Sequence, residues 1–121
     1  MRTKKETGNF GEKEAIKYLI ESEYQIIATN WRYLKAEIDI IAKKGDWLIF
    51  VEVKTRSTSD FGNPEEFVSN KQQKLIINAA HEFIVGNDRN EEARFDIISI
   101  IAPNGKMESR EHIEGAFYPT L

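Results

Sequence analysis

The 121-residue chain has no cysteine. That removes disulfides, zinc–thiolate centres and thiol nucleophiles together. It also lacks a cationic excess: 17 lysines and arginines face 20 acidic residues, a net charge of −3. No global positive field therefore advertises a nucleic-acid partner, and phosphate recognition would need a local basic patch or a bound metal ion. Long apolar runs are missing too. The longest, Trp47 to Val51, is far too short to span a bilayer. The N-terminal MRTKKETGNFGE has no apolar core that could act as a secretion signal. The expectation is a cytoplasmic protein without membrane attachment.

What is present is ordinary globular composition, 40% hydrophobic and 31% charged residues. The length suits one domain, 1–121, with a core over about residues 6–102 and a C-terminal appendage over about 103–121. No repeat or low-complexity tract interrupts it. Ala15, Ile16, Leu19 and Ile20 supply the stripe of an amphipathic helix over roughly Glu6 to Ser22. A strand follows near Tyr24 to Arg32, and then the ribbon AEIDIIAKKGDWLIFVEVKTR, Ala36 to Arg56. Asn63-Pro64 with Glu65 and Glu66 is one start for a second helix. Ser69 or Asn70 could equally cap it a turn later. Its stripe is Val68, Leu75, Ile76, Ala79, Ala80, Phe83 and Ile84, ending at Gly86-Asn87. Phe95 to Ile101 reads as a buried strand, and Asn104-Gly105 signals a hairpin to a weaker strand around Met107 to Ile113. The order α-β-β-β-α-β describes an α/β domain with a mixed sheet.

The ribbon carries the chemistry. Gly45-Asp46 is a two-residue hairpin loop pair. With that turn, Lys44 faces Trp47, Ile41 meets Phe50, and Asp39 and Glu37 oppose Glu52 and Lys54. On the other face Ile38, Ile40 and Ala42 meet Val53, Val51 and Ile49. Apolar residues match apolar partners, and a one-residue slip would turn Asp39 into the apolar face. Directly opposed Cβ atoms lie about 5 Å apart, where like charges repel. Either one of Asp39 and Glu52 is protonated, or a cation sits between them. Two hard oxygen ligands with room for water suit Mg²⁺ better than zinc or copper. Lys54, on the same side of the strand, could orient or deprotonate a water on that ion or neutralise charge on a phosphate. The plain alternative is a solvated sheet margin with a Glu37–Lys54 ion pair. Against it stand Ile41, Leu48 and Phe50 on the same face, which make the acidic end the edge of a core.

Asp39 followed across a hairpin by Glu52-Val53-Lys54 resembles the D…(D/E)xK signature of restriction-endonuclease-like nucleases, the PD-(D/E)xK superfamily. The αβββαβ order matches the core of that superfamily. More closely, the chain resembles the YraN-like family of small bacterial proteins. The matching stretches are Gly8-Asn9-Phe10-Gly11-Glu12, Asn30-Trp31-Arg32, Glu37 to Ala42, Phe50 to Arg56 and Arg94-Phe95-Asp96. Ala36 departs from the glycine that usually precedes Glu37 in the family. The resemblance implies a restriction-endonuclease-like fold, with a mixed sheet flanked by helices. It implies a metal-dependent endonuclease using Mg²⁺ or Mn²⁺ on nucleic acid, DNA first and branched DNA among the candidates. Asp39 and Glu52 would be the metal ligands, the Val53 carbonyl a third, Glu12 a further acid from the first helix, and Lys54 the catalytic lysine. A nuclease-fold binding module without catalysis is the competing reading.

Glu12 has two readings. It shares a helical face with Ala15, Ile16 and Leu19 and so points inward, yet Asn9-x-x-Glu12 is also a capping box. Gly8-x-x-Gly11 is too short for a phosphate loop and reads as a turn before the helix. Arg56, Lys71 and Lys74 are candidates for a nucleic-acid-binding rim beside the start of the second helix. A homodimer would double that rim. Asp96 is expected to serve structure, and neither His81 nor His112 has a ligand pattern around it. Trp31, Trp47, Phe117 and Tyr118 are read as core or subunit contacts rather than base-stacking platforms.

Overall fold

In the computed structural model, which describes residues 4–57 and 68–119, the hydrophobic periodicities become two helices and five strands. Helix α1 covers Lys4–Glu21, followed by β1 (Gln25–Tyr33), β2 (Ala36–Lys44) and β3 (Trp47–Arg56). Helix α2 (Asn70–Gly86) then leads to β4 (Glu92–Ile101) and β5 (Ser109–Phe117). The strands form one sheet in the order β1-β2-β3-β4-β5. Only β3 and β4 run parallel, joined by the crossover that contains α2; the other neighbours are antiparallel. This is the α/β, αβββαβ architecture with a mixed sheet that the sequence leads one to expect. The proposed helix start at Asn63-Pro64 lies outside the described residues. Ser69, the other cap that the sequence offers, caps α2, its hydroxyl accepting from the Gln72 amide at 3.1 Å.

Each face of the sheet buries one helix. On one side Ile76, Ala79, Ala80 and Phe83 of α2 pack over Ile38, Ile41, Leu48, Phe50, Phe95 and Ile97. On the other, Ala15 and Leu19 of α1 pack over Ile40, Ala42, Ile49, Val51, Ile98 and Ile100. Each fully buried Ile, Leu or Phe contributes roughly 1.5–3 kcal/mol relative to exposure, so these two layers hold the fold. Among the described residues no helix is long and apolar enough to cross a membrane.

Several local expectations change. Helix α1 begins at Lys4, so Gly8, Asn9, Gly11 and Glu12 all lie inside it. The capping-box reading of Glu12 and the turn at Gly8-x-x-Gly11 are thereby excluded. Gly11 answers to packing: a Cβ there would overlap Thr55 Oγ1 and lie 2.9 Å from the Thr55 Cβ. Its missing side chain is what lets α1 settle on β3. Ile20, assigned to the buried stripe, is 56% exposed, because the stripe in contact with the sheet runs through Gly11, Ala15 and Leu19. The C-terminal segment is an integral sheet strand, with Phe117 buried and stacked on Phe95 at 5.2 Å between ring centroids.

A buried polar network ties this outer strand to the rest. Asp96 is fully buried. It accepts from Arg94 Nε at 2.9 Å, Arg94 Nη2 at 2.8 Å and the Gly115 amide at 3.0 Å. His112 Nε2 lies 2.7 Å from the same carboxylate, and its Nδ1 lies 2.7 Å from the Tyr18 hydroxyl of α1. Arg94 also donates to the Tyr24 hydroxyl at 2.9 Å. Asp96 has the structural role expected of it, and His112 gains partners that no local sequence pattern signals. His81 is an exposed residue of α2.

Candidate functional site

The hairpin register is as the sequence predicts from Lys44↔Trp47 through Ile40↔Val51. There the β2–β3 ladder stops, although β3 continues beside β4 to Arg56↔Ile101. Past this point the acids take over backbone groups: Asp39 Oδ2 accepts from the Val53 amide at 2.8 Å. The Asp39 backbone N–H in turn interacts with the Glu52 carboxylate. Asp39 and Glu52 thus meet across a local parting of two strands, not across a continuous ladder.

The alternation of faces also breaks here. Ile38 is predicted to share a face with Ile40, but it packs with Ile41 against α2 while Ile40 faces α1. The break coincides with Asn30, which lies between the pairs Thr29↔Ile40 and Trp31↔Ile38. Its φ of 51° departs from the extended backbone of β1. Glu37 forms its ion pair with Arg32 at 2.8 Å instead of the expected one with Lys54.

A cleft of about 410 Å³ opens at this end of the sheet, beneath the start of α2. Asp39, Glu52, Val53 and Lys54 line it, together with Glu37. Lys35, Gln72, Leu75 and Ile76 supply further wall. Lys71 and Lys74 are exposed on the first turns of α2 and Arg56 is half-buried two residues beyond Lys54; none of the three lines the cleft wall. The polar cleft residues that sequence reasoning missed are Lys35, a cation at the β1–β2 turn, and the neutral Gln72. Lys35 had no motif to mark it. Gln72 was legible only as a residue of the capped first turn.

The electrostatics follow from burial. Glu52 is 3% exposed, and its Oε1 has no hydrogen-bond partner among the described residues. Burial, then the nearby Asp39 carboxylate, pushes its pKa up to about 9 against the opposing pull of Lys54. Asp39 is also raised, by burial first, while the Val53 amide and Lys54 oppose the shift. The pair therefore carries a proton at neutral pH when no cation is bound. Glu12, projecting from α1, is raised by burial and then by Asp39 and Glu37, which places it within electrostatic reach of both. Oriented with its nitrogen toward the acids, the Asn30 amide donates to Glu12 Oε1 at 2.8 Å and Glu37 Oε1 at 2.9 Å.

A divalent ion fits this donor set. Two desolvated carboxylates with an orphaned oxygen satisfy a hard cation, and an ion would remove the need for the shared proton. Among the described residues no three acidic, histidine or cysteine side chains converge as a closed metal cage. An ion here would draw on Asp39 and Glu52, with water and backbone oxygen filling the remaining places, a manner usual for Mg²⁺.

Fold and site together define an α/β protein with an acidic, lysine-flanked cleft where two strands of a mixed sheet part. The chain belongs to the uncharacterised protein family UPF0102, whose pattern matches residues 11–100. It is 45% identical to a UPF0102 protein of Flavobacterium psychrophilum over 111 residues, 92% of either chain. It is 48% identical to one of Christiangramia forsetii over 113 residues, 93% of this chain and 94% of the relative. A Clostridioides difficile relative is 46% identical over 115 residues, 93% of this chain and 97% of its own.

Proposed function

We propose that this chain is a Mg²⁺- or Mn²⁺-dependent endonuclease that hydrolyses phosphodiester bonds of nucleic acid, DNA foremost, with branched DNA among the candidate forms. The observation that carries the reading is Glu52: a buried carboxylate with an unpartnered oxygen, beside Asp39, in a cleft that also holds Lys54. An isolated buried acid of this kind costs stability unless something binds it. Asp39 and Glu52 would hold the ion, with the Val53 carbonyl and Glu12 completing its shell. When bound, the ion supplies Lewis-acid stabilisation of charge growing on the phosphate. Lys54 orients the attacking water and balances negative charge as the bond to the leaving oxygen breaks. Lys35 adds a cation at the cleft wall, while Arg56, Lys71 and Lys74 extend a cationic rim around it for flanking phosphates. A homodimer brings a second rim to the same nucleic acid.

Calorimetric titration of Mg²⁺ and Mn²⁺ into wild type and Asp39→Ala tests the metal reading. Uptake by wild type that the variant loses supports it; no uptake by wild type refutes it. Cleavage is then measured on single-stranded, duplex, flap and four-way-junction DNA. Lys54→Ala is expected to lower the rate by about 10²–10³-fold, the range for removing one group that stabilises charge in the transition state, while retaining Mn²⁺ binding. Equal cleavage by the two preparations assigns the activity to a contaminant.

One observation favours the second reading, a nuclease-fold module that binds nucleic acid or protein without cutting. The described acids do not close into a three-carboxylate cage. Binding of junction DNA with unchanged affinity in chelator and no cleavage in Mn²⁺ would establish that reading.

A further inference from the structure

The chemistry proposed above makes no use of Asn30. This residue sits inside β1 yet has a φ of 51°, in the left-handed region that asparagine tolerates better than bulkier residues. Its side chain meets carboxylates from two different elements, Glu12 of α1 and Glu37 of β2, at 2.8 and 2.9 Å. In the reverse orientation the amide oxygen would face only acceptors, so the donor group must be the one presented. Glu37 is held from its other oxygen by Arg32 at 2.8 Å. The clasp thus has a fixed end on β2 and a second end on the helix.

Two neighbouring carboxylates repel unless donors lie between them, and an amide NH₂ offers two donors without adding charge. We propose that Asn30 is a positioning residue. Its amide, aimed by the left-handed backbone, clasps Glu12 to Glu37 and holds Glu12 beside Asp39, where it would support, through bound water, a divalent ion on Asp39 and Glu52. The inference rests on the metal reading of the cleft and adds a residue that acts through Glu12. It also explains why a strand tolerates this backbone conformation where β2 and β3 part.

Glycine separates the two contributions of Asn30, because Asn30→Gly keeps the left-handed backbone without steric cost and deletes the amide. Mn²⁺ affinity is measured by calorimetry for wild type, Asn30→Gly, Glu12→Ala and the double variant, with melting curves taken in chelator. Asn30→Gly is expected to bind Mn²⁺ about ten- to a hundredfold more weakly, the usual effect of losing an outer hydrogen-bond partner of a ligand. In the Glu12→Ala background the same change should cost nothing further. Wild-type affinity in Asn30→Gly, or losses that multiply in the double variant, overturns the proposal and leaves the metal site standing. No uptake by any protein, wild type included, overturns the site reading and this inference together. If Asn30→Gly does not fold, hydrogen exchange of the Asn30 side-chain amide decides by NMR in metal-free protein. Exchange that quickens in Glu12→Ala supports the clasp, and exchange that is unchanged refutes it.

Discussion

Glu52 shows how one side chain can be both a cost and a site. Its folded pKa of about 9 lies above the ordinary 4.5, so its contribution to stability is complete below the ordinary carboxylate range. That contribution is lost as pH rises through about 9. At neutral pH the metal-free protein keeps a proton on a group that would ionise once unfolded. Glu52→Gln removes that cost. In chelator the variant should melt above wild type at pH 7, by about 1–2 kcal/mol, with the gap widening toward alkaline pH. Added Mg²⁺ should raise the melting temperature of wild type alone. Scanning calorimetry at two pH values, with and without Mg²⁺, checks both parts; a variant less stable than wild type in chelator contradicts the assignment.

At the scale of elements, the site depends on how closely α1 approaches β3. Gly11 sits where a methyl group would collide with Thr55, one residue beyond Lys54. Gly11→Ala gains helix propensity, roughly 1 kcal/mol in an unhindered helix, but must push the helix away from the sheet. Overpacking of this kind costs about 1–3 kcal/mol or more. Net destabilisation is expected in denaturant titrations. Thr55→Ala should restore part of it, because the hydroxyl contact disappears while the Cβ contact at 2.9 Å remains. Displacement of α1 also carries Glu12 away from Asp39 and Asn30, so Mn²⁺ affinity should fall in Gly11→Ala and partly recover in the double variant. Sequence reading assigned Gly11 to a turn, since the residue it must avoid lies far along the chain.

At the scale of the whole molecule, Asp96 joins α1, the approach to β1, β4 and β5 through one carboxylate. Burial works to raise its pKa, but hydrogen bonds from His112, Arg94 and the Gly115 amide outweigh it and leave the pKa below 3.8. A lowered carboxylate pKa contributes stability that is fully present above the ordinary range and lost as pH falls below it. Wild type should therefore lose stability on acidification below about pH 4. Asp96→Asn should be destabilised by about 1.5–3 kcal/mol at neutral pH, because the partly buried Arg94 loses its two-pronged carboxylate partner and keeps as counter-charge the longer contact to Glu114 at 3.8 Å. Its stability should vary less with pH between about 5 and 2. Urea titrations across that range measure both effects, and parallel acid losses in the two proteins would remove Asp96 as their cause.

The sequence by itself determined the elements and the hairpin. Its turn and matched apolar pairs lie within one short ribbon, where strand periodicity leaves a single register that buries both faces. That Asp39 comes close to Glu52 and Val53 was legible for the same reason, although the ladder itself ends one pair short of them. Tertiary structure alone decided the change of face at Ile38, the placement of Glu12 beside Asn30 and Glu37, the demand for glycine at position 11, and the burial of His112 against Asp96 and Tyr18. Each of these joins residues from separate elements, and which partners meet depends on how strands twist and helices dock. Those choices are made by the packing of the whole core, and no local pattern of residues encodes them.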